Sequence, residues 1–271
     1  MYHLKSSFLI PAILFASACA AEDPTKQAPI AVGIPIAVGI ERSSIASTPT
    51  ESSGADGLMV LDAQGEPSRF SLYSAEIMVR HIELDLPDGS SCETHEDAIV
   101  GASCEDGKIT IEGPMIIDLL SGKATPDLSE VRVPSGRYKR MDIRIDDGDP
   151  DEGLIVEGDP LDDYSMVVSA SFSSELGPMD LELSLKFNED IRFDAGEAGI
   201  EISGEGYGLF ATLNASMWFD AEILDLCIAS EELRPEDGEL DVFDAGEGSD
   251  CGELENDIKR RIKESGQLLK D

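Results

Sequence analysis

The segment Asp147-Gly-Asp149-Pro-Asp151-Glu-Gly153 sets carboxylates at alternate positions of a short, turn-forming stretch. Oxygens spaced in this way can converge on a hard cation such as Ca²⁺, so Asp147, Asp149 and Asp151 are the candidate metal ligands. The stretch departs from an EF-hand loop: its glycine falls one place late, and Gly158 stands where the bidentate glutamate belongs. Two histidines also invite inspection. His81 lies inside an alternating apolar run and reads as a structural side chain. His95 lies among Glu93, Glu96 and Asp97, where a weak metal site competes with the simpler reading of a solvated polar loop. No catalytic residue can be assigned, because the chain lacks G-x-S-x-G, H-E-x-x-H and G-x-x-x-x-G-K-[ST]. Carboxylate pairs of the glycosidase kind occur throughout and are uninformative. The aromatics that stack on sugars are few, with Trp218 the one tryptophan.

The cysteines carry a different chemistry. Cys19 follows Lys5, the apolar run from Phe8, and the small residues Ala16-Ser17-Ala18. That is the layout of a secretory signal, too short to span a bilayer, and a cysteine in this place resembles a lipobox whose thiol is acylated before cleavage ahead of it. Residues 1–18 are then the signal peptide. An ordinary signal cut between nearby alanines is the plainer alternative. Cys92, Cys104, Cys227 and Cys251 remain, an even number suited to an oxidising compartment. Three pairings are open; Cys92–Cys104 and Cys227–Cys251 are favoured because each closes a short loop. A zinc site would want close cysteine pairs with histidines nearby, and the sequence has none.

Charge narrows the partners. The chain holds 20 Lys and Arg against 56 Asp and Glu, a formal net charge of −36. Nucleic acid is excluded as a partner, since phosphate binding needs a basic footprint. Adsorption to anionic lipid by charge is excluded for the same reason, which leaves the acyl chains on Cys19 as the expected link to a membrane. Ala20 follows Cys19 where an aspartate would resemble an inner-membrane retention signal. The expected location is therefore the cell envelope, lipid-anchored at the outer membrane of a Gram-negative bacterium. No cofactor is expected, with Ca²⁺ at the acidic stretch the one candidate.

The elements that must hold these residues are mostly strands. Residues 19–55 read as a lipidated flexible tether: they lack aromatics and contain a tandem hexapeptide, Pro29-Ile-Ala-Val-Gly-Ile34 and Pro35-Ile-Ala-Val-Gly-Ile40. Its prolines and glycines argue against a helix or a central strand. From Gly57 onward, period two dominates, in Arg140 to Ile145, Tyr164 to Phe172 and Asp180 to Phe187. In Ala75 to Leu86 the phase shifts from Ile77 and Val79 to Ile82 and Leu84, which a bulge near Arg80-His81 would produce. Phe193 to Glu197 and Phe243 to Glu247 repeat Phe-Asp-Ala-Gly-Glu and read as turns. At the C-terminus, Asp250 and Glu253 suggest a capping box, and Leu254, Ile258, Ile262 and Leu269 suggest the apolar stripe of an amphipathic helix.

Several of these segments together resemble a bacterial lipoprotein family, that of domain of unknown function 4382. They are Ser74 to Leu84, Ile116-Ile-Asp-Leu-Leu120, Val133-Pro-Ser-Gly-Arg-Tyr138 and Met141 to Ile145. The resemblance implies a transthyretin- or immunoglobulin-like sandwich over roughly residues 57–148, with Tyr138 anchoring a strand corner, and carries over no catalytic residue. The expected fold is mainly β: an antiparallel β-sandwich over residues 56–160, then a second β-rich unit with a C-terminal α-helix over 161–271. The expected function is binding or scaffolding at the cell envelope, not enzymatic. A calcium-dependent adhesion module and a carboxylate-based hydrolase are the alternatives.

Overall fold

Alternation of apolar and polar residues favours strands that bury one face, and strands fill most of the computed structural model. It describes residues 33–34, 36–41, 45–47, 57–62, 64–86, 89–203, 208–235, 239–241 and 251–270. In chain order the first strands are β1 (Gly33–Ile34), β2 (Ile36–Ile40), β3 (Ile45–Ser47), β4 (Leu58–Leu61) and the long β5 (Pro67–Asp85). After a short helix, α1 (Cys92–His95), come β6 (Ser103–Glu105), β7 (Lys108–Asp118), β8 (Lys123–Thr125), β9 (Val133–Pro134), β10 (Gly136–Tyr138) and β11 (Arg140–Ile145). Next are β12 (Met166–Ser174), β13 (Gly177–Leu185), β14 (Glu189–Asp194), β15 (Ile200–Ile202) and β16 (Leu209–Leu213). Helix α2 (Ala221–Ala229), β17 (Glu239–Asp241), α3 (Leu254–Glu264) and β18 (Gly266–Lys270) complete the described elements.

One sheet takes in fourteen of these strands: nine follow the path β17-β13-β12-β5-β11-β14-β18-β16-β2, β4 and β7 also pair to β5, β3 pairs to β4, and β6 and β8 pair to β7. The fold is mainly β, as the alternation implies. The sheet is mixed rather than purely antiparallel, because β2–β16, β13–β17 and β14–β18 run parallel. It curls back on itself: Ile40 N–H, at the end of β2, donates to Leu119 O just past β7 (2.9 Å).

β5 organises this sheet. Its first part lies between β4 and β12, and its second between β7 and β11. The neighbours change over at Met78, whose N–H donates to Ser165 O (2.8 Å) and whose carbonyl accepts from Asp146 N–H (3.4 Å). Two residues on, the register with β11 steps from Ile145↔Val79 to Arg144↔His81 and leaves Arg80 as an extra residue of β5. This is the bulge expected near Arg80-His81. The extra residue returns Ile82 and Leu84 to the face already occupied by Ile77 and Val79.

The large core covers both sequence halves. Phe70 of β5 stacks between Phe172 of β12 and Phe219, with ring centroids 4.8 Å apart in each case. Trp218 is fully buried and donates through Nε1 to Ser265 Oγ (3.2 Å). Helix α3 buries Leu254, Ile258 and Ile262 against this core; each such side chain contributes about 1.5–3 kcal/mol relative to exposure. The helix starts later than expected, with Glu253 at the N-cap and no side-chain capping bond; Asp250 lies outside the described residues. Leu269 does not extend the stripe, because the chain leaves the helix at Ser265 and Gly266 opens β18. A Cβ at Gly266 would lie 2.7 Å from Arg192 O, so this change of direction needs glycine.

Two expectations about organisation are corrected. Residues 33–34, 36–40 and 45–47 are strands, not tether, and Ile36, Val38 and Ile40 are buried. In β2 the buried residues fall on an even spacing, and no proline interrupts Ile36–Ile40. The proposed division at residue 160 also disappears. Residues 31–271 form one compact unit, because β12, from the expected second half, pairs directly with β5 from the first.

Candidate functional site

The four cysteines downstream of the tether pair as expected. Cys92 joins Cys104 and Cys227 joins Cys251, across 12 and 24 residues of sequence. The first bridge ties α1 to β6 and is half-buried; the second ties α2 to the turn ahead of α3 and is buried. Cys19, the candidate lipidation site, lies outside the described residues, as do the signal-like segment and the second Phe-Asp-Ala-Gly-Glu copy. The first copy does form a turn, with Gly196 at φ 73°.

The acidic stretch crosses from β11 to β12 over the point where β5 changes neighbours. Ile155 and Leu161 pin it there by packing on Met78 in a small second core. Three carboxylates of this crossing cap its own backbone. Asp149 Oδ1 accepts Asp151 N–H (2.8 Å) and caps a 3₁₀ turn over Pro150–Glu152. Asp159 and Asp162 accept the N–H groups of Leu161 and Gly158. Arg80, the bulged residue, reaches Asp146 at 3.5 Å and also pairs with Glu152. Asp147 turns inward, with Oδ1 buried and without a hydrogen-bond partner among the described residues. Burial pushes its carboxyl above the usual range, against the opposing pull of Lys186 and the Ser165 hydroxyl. Asp147, Asp149 and Asp151 therefore do not converge. Among the described residues, no group of three or more His, Cys, Asp or Glu is placed to hold a metal ion. Asp149 serves as a turn cap, which the sequence pattern alone does not distinguish from a ligand.

A pair of carboxylates that sequence reasoning missed stands at Glu76 and Asp118, directly opposite each other on β5 and β7. With Leu58, Tyr73, Ser74, Leu120 and Ser121 they line an open groove of about 330 Å³. Burial, then the negative charges of Asp118 and Asp159, push the Glu76 carboxyl up. Asp118 is committed to the following turn, accepting from Leu120 N–H, Ser121 N–H and Ser121 Oγ. A second open groove of about 330 Å³ runs beside the Cys92–Cys104 bridge, lined by Glu93, Glu96, Ile99 and Ala102. His95 is not among its lining residues; its Nε2 lies 3.0 Å from Ser90 Oγ. His81 sits in β5 opposite Glu112 and Arg144, a strand position as expected.

The polar face of β7-β5-β11-β14 is an ionic ladder. Arg140 contacts Asp85 (3.4 Å) and Asp142 (2.8 Å), Arg192 contacts Asp142 (3.2 Å), and Lys108 pairs with Glu83. At the far end of β5, Arg69 grips Asp225 of α2 through both terminal nitrogens, donates to Ser173 O and lies 4.7 Å from the centre of the Phe172 ring. These contacts neutralise basic side chains in place. What they leave facing solvent is mainly carboxylate, in open grooves held on a rigid sheet. Among the described residues no helix is long and apolar enough to cross a membrane. No family model, no curated protein and no solved structure matches the chain.

Proposed function

We propose that this chain is an exported protein of the cell envelope, held by acyl chains on Cys19 at the outer membrane, with a binding or scaffolding role and no chemistry of its own. The observation that carries the reading is the cysteine distribution. All four cysteines after the signal-like segment are joined in two disulfides, the state favoured by an oxidising compartment, and the fifth stands in a lipobox-like sequence. The strong negative charge fits attachment through lipid rather than through a basic surface. Binding would fall to the loops and open grooves that the sheet holds in place.

The finer reading of the fold, a transthyretin- or immunoglobulin-like sandwich related to the lipoprotein family named above, belongs to this proposal. Its support is Tyr138. The ring is fully buried and its hydroxyl donates to Pro134 O four residues upstream, the geometry of a tyrosine corner. The alternative of calcium-dependent adhesion is less favoured, since no group of three or more His, Cys, Asp or Glu is placed to hold a metal ion among the described residues.

Membrane fractionation tests the anchor. Wild-type protein should sediment with envelope membranes and require detergent for release. Cys19→Ser should be found in soluble periplasmic extract or remain unprocessed. Wild-type protein that is soluble without detergent contradicts the reading.

A further inference from the structure

Strand β2 is the last five residues of the second copy of a tandem repeat, and the structure places its apolar residues and its glycine. Ile36, Val38 and Ile40 point into the core, 5%, 1% and 6% exposed, while the strand runs parallel to β16 from Leu209↔Ile36 to Leu213↔Ile40. Gly39 passes the sheet's closing edge, where an added Cβ would lie 3.1 Å from Leu119 O. The first copy, Pro29 to Ile34, has the same six residues in the same order. A strand turns alternate side chains to opposite faces, so a shift by an odd number would expose the apolar set. A shift by six does not. It would bring Ile30, Val32 and Ile34 to the buried positions and Gly33 to the close approach.

We propose that the edge of β16 is a strand-binding site for the extended segment Ile-Ala-Val-Gly-Ile, able to take either copy from its own chain. One difference sets the resting register. Glu41 N–H donates to Leu213 O at 2.9 Å. In the shifted register Pro35 stands at that place and has no N–H to donate. The shift also gives up the pairing of Gly33 and Ile34 with β9. The second copy therefore holds the site, and the first is a spare of equal apolar content. Exchange transfers six residues, about 20 Å of extended chain, from the segment before the site to the segment after it. On the lipid-anchor reading this alters the reach between Cys19 and the folded body. That consequence rests on the reading, whereas the exchange does not.

Thermal unfolding of full-length variants tests the exchange without reference to lipid. Val38→Asp places a charge in the core unless the spare copy takes over. The midpoint of V38D should fall by only about 2–4 °C, the scale of one or two lost backbone contacts in a domain of this size. V32D should match wild type. The double variant V32D/V38D should lose several times as much as V38D, or fail to fold, since neither copy then fits. V38D as damaged as the double variant would overturn the proposal. So would a V38D midpoint that rises with protein concentration, which would mean that the strand comes from a second chain.

Discussion

Asp147 is the residue at which reading from pattern and reading from structure part. Alternating aspartates suggested a cation site, yet Asp149 caps a turn and Asp147 is drawn inward beside Ser165 and Lys186. Nothing local in the sequence announces that inward turn, because it depends on Ile155 and Leu161 anchoring the loop on Met78, far away in the chain. The outcome can be measured. Burial raises the folded-state value of the Asp147 carboxyl, so ionising it costs stability once pH rises through that value. Below the unfolded-state value of about 3.9 the cost is absent. Asp147→Asn should raise the melting midpoint by a few degrees at pH 7 and leave it unchanged at strongly acid pH. A lowered midpoint at pH 7 would show that the carboxylate has a favourable partner instead. Tyr138 is a different case: the family resemblance suggests a strand corner there, and its buried hydroxyl does donate to Pro134 O.

At the scale of elements, what could be read locally was read well. Arg140–Ile145 is the strand its alternation describes, and the Arg80 bulge follows from a phase change visible in β5 itself. β2 and β18 were missed for a common reason. Each is five residues long, and their pairings include parallel ones, β2 with β16 and β18 with β14, which no short turn connects and no local pattern reveals. The disulfides were legible because each closes a short loop, and their positions now rank them. Cys227 and Cys251 are buried at 1% and 5% exposure, whereas Cys92 and Cys104 are half-buried. Mild reductant should therefore open Cys92–Cys104 first, followed by alkylation and peptide mapping. Replacing both Cys227 and Cys251 by serine should lower the melting midpoint by about 6–12 °C, from ~3 kcal/mol of loop closure. Earlier alkylation of Cys227 would contradict this ranking.

At the largest scale, a curled sheet within residues 31–271 belongs to a chain with a formal charge of −36. Arginines of the sheet face are tied into the ladder around Asp142, so the excess carboxylates repel one another across the surface. Salt should relieve that repulsion by screening, which shortens from ~30 Å at 0.01 M to ~8 Å at 0.15 M. Sodium and calcium chloride at equal ionic strength should then raise the melting midpoint to similar degrees. A saturable rise specific to calcium would contradict the account of the acidic stretch. On the proposed reading, charge of this size leaves lipid rather than a basic surface as the means of attachment, and there the account is most exposed. The direct measurement is the intact mass of the protein extracted from its native envelope, before and after reduction. The account predicts a chain beginning at Cys19, heavier by its acyl groups, and lighter by four hydrogens for two disulfides. An unacylated chain beginning at another residue, or four free thiols, would contradict it.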